Sequence, residues 1–153
     1  MEHNFSPFIH PFDNDGCITR LIEEYNKHKK LVIGFDFDNT IFDCHNNGQC
    51  YAQVINLLKE CKELGFILCL YTAELRPEWI DWKVMYCEHF GIKPDYVNES
   101  PLLSGTKKPF FNLLLDDRAG LQSAFSVLQE VVKYAEREQI GGNCQAIETN
   151  ICS

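Results

Sequence analysis

The chain has 153 residues, of which 45% are hydrophobic and 24% charged. That is the composition of one folded domain, not of a disordered or fibrous chain. Its 14 basic and 22 acidic residues leave a net charge of −8, which works against broad binding to nucleic acid, whose phosphate backbone would be repelled. No apolar run reaches the roughly 18 residues that a bilayer span requires. Met1–Asp15 has neither a basic leader nor an apolar core, so the reading is a chain without a secretory signal, expected in the cytoplasm and off the membrane.

In chain order, Met1–Asp15 is aromatic and broken by prolines and reads as an N-terminal extension. Ile18–Lys29 is expected to form a short helix with Leu21, Ile22 and Tyr25 on one side. Leu31–Phe37 is a short apolar run rich in β-branched and aromatic residues, which predicts a buried strand. Tyr51, Val54, Ile55, Leu58 and Cys61 recur at helical spacing, and Gly65 supplies the stop. Phe66–Tyr71 predicts a second strand. Pro77 suits the first turn of a helix reaching about Phe90, ended by Gly91. Asp95–Val97 and Phe111–Leu115 are expected as the third and fourth strands. Leu121, Ala124, Phe125, Leu128, Val131, Val132 and Ala135 form the apolar stripe of a last helix, and Ile140–Ser153 reads as a C-terminal tail.

Strands that are apolar on both faces and alternate with helices imply the α/β class: a single domain over 1–153 built as a reduced three-layer, Rossmann-like parallel sheet. The eight cysteines include no Cys-x-x-Cys pair, and Cys61, Cys69 and Cys87 fall in apolar segments. They read as reduced, buried thiols and not as a disulfide framework. Cys44, His45 and Cys50 lack the fourth ligand that a structural zinc needs.

In a parallel sheet of this kind, ligands sit beyond the carboxyl ends of the strands. The first strand ends in Asp36, Asp38 and Thr40, the second at Thr72, and the fourth at Asp116 and Asp117, with Lys107 and Lys108 in the loop before it. Carboxylates gathered at one edge repel unless protonated or bound to a cation. Oxygen donors of this type suit Mg²⁺ beside a phosphate, while a threonine and a lysine are donors for phosphate oxygens.

The strand-borne DFDNT, the threonine ending the next strand, the Lys-Pro loop and LLLDDRA, in that order over about Leu31–Leu121, resemble the haloacid dehalogenase superfamily of phosphohydrolases. The resemblance implies a Mg²⁺-dependent phosphomonoester hydrolase that works through an aspartyl phosphate. Asp36 would be the nucleophile and Asp38 the general acid and base. Thr72 and Lys108 would hold the phosphate. Asp36, Asp38, Asp117 and Asp116 would form the metal site, with Asp117 favoured as the direct ligand of the acidic pair. Arg76 and Lys107 are further candidates for substrate contact. The segments in which family members carry cap domains are short here, so the chain resembles the small, capless kind. The expected substrate is a small phosphorylated metabolite or a nucleotide, with nucleic-acid phosphate ends less favoured by charge and a homodimer as one way to cover an open site. Two other classes compete. A phosphoacceptor signalling module would use similar residues in a different order, and an inactive phosphate-binding descendant would not need the intact pair of Asp36 and Asp38.

Overall fold

The computed structural model describes residues 12–101 and 106–151, the side chains of 143–151 excepted. Most of the expected N-terminal extension therefore lies outside the described residues. The elements run α1 (Asn14–His28), β1 (Val32–Asp36), α2 (Ala52–Glu63), β2 (Ile67–Tyr71), α3 (Pro77–His89), β3 (Tyr96–Val97), β4 (Leu113–Leu115) and α4 (Leu121–Ile151). All four strands are parallel, in the order β3-β2-β1-β4, and helices flank the sheet. This is the expected α/β architecture, a reduced Rossmann-like three-layer fold.

Local chemistry explains the boundaries. Helix α1 begins before the apolar spacing does, because Asp13 caps it by accepting the Asp15 N–H at 3.0 Å. It ends where Lys29 turns left-handed at φ 56°. Gly65 and Gly91, at φ 80° and 76°, close α2 and α3. After each of them the next residue donates back into the last turn, Phe66 N–H to the Cys61 carbonyl and Ile92 N–H to that of Cys87, both at 2.9 Å. Strand β4 is two residues shorter than its apolar run suggests. Asn112 takes over the ladder there: its side-chain oxygen accepts the Val32 N–H at 2.7 Å and its own N–H donates to the Val32 carbonyl.

The C-terminal segment departs from expectation. The tail expected from Ile140 is instead a continuation of α4 to Ile151. Gly141 and Gly142 weigh most against a helix there, at roughly 1 kcal/mol each, and no proline interrupts the segment. Helix propagation outlasts two glycines.

The core is one cluster. Ile33 and Phe35 of β1 and Leu68 and Leu70 of β2 meet Leu58 and Cys61 of α2, Leu21 and Tyr25 of α1, and Leu128, Val131 and Ala135 of α4. Cys61, Cys69 and Cys87 are buried free thiols. Burial raises all three, Cys69 to about 11 and Cys87 to about 12, so they are inert, protonated fillers of the interior.

Candidate active site

Strand β1 is central, with β2 on one side and β4 on the other, in registers that align Phe35 with both Leu70 and Leu115. The chain leaves β1 towards β2 and returns across it to β4, so the order of strands reverses beside β1, where an open α/β sheet offers a crevice. A cavity of about 550 Å³ lies there. Asp36, Asp38, Asn39, Cys44, His45, Thr72, Asn98, Asp116, Asp117 and Arg118 are among its lining residues.

The loop after β1 is a tight, self-bonded turn. The Phe37 carbonyl receives N–H groups from Thr40, Ile41 and Phe42, while Asn39, left-handed at φ 56°, donates its N–H to the Phe42 carbonyl at 2.7 Å. Phe37 and Ile41 are buried beneath this turn, which holds Asp36 and Asp38 at the cavity. Thr40 is fully buried, and its hydroxyl accepts the Asp117 N–H at 3.1 Å. One side chain thereby ties the β1 turn to the turn after β4. Asp43 takes no position in the cavity wall. Its carboxylate accepts N–H groups from Asn47, Gly48 and Gln49 and organises the following loop.

Asp36, Asp116 and Asp117 each place a carboxylate oxygen within 4.8 Å of the others. Half-burial of Asp36, with the neighbouring charges of Asp116, Asp38 and Asp117 adding to it and the Phe37 N–H opposing, pushes the Asp36 carboxyl up to about 6. An all-oxygen set of this kind could hold a divalent cation, which would remove the repulsion that the three carboxylates otherwise bear.

On the other side of Asp38 stands a residue that the sequence did not single out. Lys83 of α3 is buried, 6% exposed. Its ammonium donates to Asp38 Oδ2 at 2.7 Å and to Thr72 Oγ1 at 3.0 Å, and it sits over the Phe37 ring at 4.9 Å. The Thr72 hydroxyl also accepts the Glu74 N–H at 3.2 Å. Both of its lone pairs are thus engaged, and its O–H remains to donate. Thr72 itself is positioned through its N–H, which donates to Asn98 Oδ1 at 2.8 Å.

The lysines expected in this role lie elsewhere. Lys107 and Lys108 are exposed and line a neighbouring cavity; the cation that meets Asp38 and Thr72 comes from helix α3. Arg76 is also occupied, in a two-point contact with the Glu74 carboxylate at 2.9 and 2.8 Å, with its guanidinium over Trp79. The available signal for Lys83 was helical spacing. It lies three residues after Ile80 and four before the buried Cys87, on the inward face of α3. A lysine on such a face needs a partner.

No protein-family model matches the chain, and neither does any curated protein sequence. Among solved structures, a conserved protein of Bacteroides thetaiotaomicron shares the fold, with a TM-score of 0.55 and 22% identity over 69% of this chain and 91% of that one. The likeness defines the class as an α/β protein with a reduced Rossmann-like sheet.

Proposed function

We propose that the protein is a Mg²⁺-dependent phosphomonoester hydrolase that uses Asp36 as its nucleophile. The observation that carries this reading is the division of charge at the cavity: Asp36, Asp116 and Asp117 gather as a cation-seeking group, while the Lys83 ammonium joins Asp38 to the Thr72 hydroxyl. A phosphoryl group needs both. The resemblance of the DFDNT and LLLDDRA segments to haloacid dehalogenase phosphohydrolases supports the same assignment.

Asp36, Asp116 and Asp117 would hold Mg²⁺, which supplies charge neutralisation at the phosphoryl oxygens when bound. The Thr72 hydroxyl donates to one phosphoryl oxygen, and the Lys83 ammonium, already beside it, offsets the charge that develops. An Asp36 oxygen forms a bond to phosphorus as the bond to the leaving oxygen breaks. The pair formed by Asp38 and Lys83 delivers a proton to that oxygen. Water then attacks the phosphorus of the aspartyl phosphate, its proton passes to the same pair, and Asp36 is released with inorganic phosphate. In this scheme Lys83 takes the place that the resemblance gives to Lys108.

The test is hydrolysis of an aryl phosphate with Mg²⁺, with EDTA, and with Asp36→Asn. Turnover that needs both the cation and Asp36 supports the assignment. A stable aspartyl phosphate without turnover would instead make the chain a phosphoacceptor module, and inactivity across a broad panel of phosphoesters would make it a binding protein.

A further inference from the structure

Beside the candidate active site lies a second cavity, also of about 550 Å³, lined by Tyr71, Asn98, Glu99, Ser100, Thr106, Lys107, Lys108 and Pro109. Tyr71 and Asn98 line both cavities, so the two adjoin across one wall. That wall is fixed. Asn98 Oδ1 accepts the Thr72 N–H, and the Tyr71 hydroxyl lies 3.1 Å from the Glu99 carbonyl and 3.4 Å from that of Phe110. One phenol thus holds both ends of the segment that carries the two lysines.

The chemistry of the second cavity is the reverse of the first. The first gathers Asp36, Asp38, Asp116 and Asp117. The second presents two adjacent ammonium groups, neither of which forms an ion pair with a described residue, in a chain whose net charge is −8. Glu99 is the one acid among its lining residues.

We propose that this cavity is an anion subsite for the leaving group, and that the substrates are phosphomonoesters whose released portion carries a second phosphate or a carboxylate. The reactive phosphoryl group sits between Asp36 and Thr72. The second anion crosses the Tyr71–Asn98 wall to Lys107 and Lys108. The inference rests on the phosphohydrolase reading for the first group only, since the second is bound without being transformed.

The experiment compares alkane-diol bisphosphates of three to six carbons with the matching monophosphates, and an aryl phosphate without a second charge, in the wild type and in Lys107→Ala/Lys108→Ala. The expected result is a kcat/KM at least roughly fivefold higher for the best bisphosphate, as two solvent-reached charge pairs would supply. That preference is lost in the double lysine variant, with aryl phosphate turnover unchanged. Equal kcat/KM for bisphosphates and monophosphates in the wild type overturns the proposal. So does a collapse of aryl phosphate turnover in the lysine variant, which would return Lys108 to the reacting centre. If nothing is hydrolysed, calorimetry of the same bisphosphates on the wild type and the lysine variant separates the two ideas. Lysine-dependent binding then upholds the subsite while the hydrolase reading fails, and lysine-independent binding or none removes the subsite as well.

Discussion

Replacing Lys83 by methionine separates the chemistry of this site from its stability. Methionine retains most of the aliphatic stem and its contacts while deleting the ammonium, so packing changes little. Breaking a fully buried ion pair from one side costs about 3–5 kcal/mol. Here the Asp38 side chain is 46% exposed, and water can solvate the carboxylate that Lys83 abandons. The discounted loss is about 1–2 kcal/mol in urea unfolding. Catalysis in the proposed hydrolase would receive no such relief. Removing one preorganised donor from a site of developing charge costs roughly 10²- to 10³-fold in kcat, about 3–4 kcal/mol. Aryl phosphate hydrolysis by Lys83→Met should therefore fall by at least about a hundredfold in kcat while the fold survives, with Lys83→Arg recovering part of the loss and Lys108→Met staying within about threefold of wild type. A Lys83→Met enzyme that keeps its kcat within about threefold, or a Lys108→Met enzyme that loses as much as Lys83→Met, would refute the argument that α3 supplies the working cation.

Other outcomes follow from the same geometry. Without metal, Asp36 titrates near 6 instead of at its ordinary 3.8. The folded form therefore binds this proton more tightly than the unfolded one, and stability falls as pH rises from about 4 through 6, by about 1–2 kcal/mol after allowance for the half of the group that water reaches. Denaturation midpoints across pH 4–8, compared with those of Asp36→Asn, check this, since the variant should lose that part of the slope. Mg²⁺ at one hundred times its dissociation constant should raise unfolding stability by about 2.7 kcal/mol at neutral pH, seen as a melting shift that Asp117→Ala diminishes. Leu128, fully buried where α4 meets the sheet, should cost about 2–5 kcal/mol on change to alanine, measured by urea unfolding.

The elements were legible wherever a single period governed them. The runs LVIGFDF and FILCLY are apolar on both faces because helices cover the sheet, and the glycines at 65 and 91 stop helices in the only backbone region where they outperform other residues. The acidic residues could be gathered in advance because parallel strands bring their carboxyl ends to one edge, and Asp36, Asp38, Thr72, Asp116 and Asp117 do line one cavity or bond within it. Lys83 was not legible in that way. Its approach to Asp38 spans 45 residues and depends on how α3 docks, whereas Lys108 drew notice through its neighbours in sequence. Local motif reading favours strand ends and loops, and it overlooks a charge that arrives on the inner face of a helix. The extent of α4 was missed for a simpler reason: Ile140–Ser153 carries glycines and polar residues beyond the apolar stripe, but no proline there ends a helix.

That the cation beside Asp38 and Thr72 rides on a helix changes what residues 106–109 are free to do. Lys83 is fastened by thirteen residues of regular backbone between Pro77 and His89, so its ammonium keeps its place beside Asp38 and Thr72 however residues 106–109 are recharged. The molecule separates what must not vary from what can. In the proposed hydrolase, drift over residues 106–109 would alter which esters are accepted, while Asn98, which seats Thr72, is held with the cleaving groups.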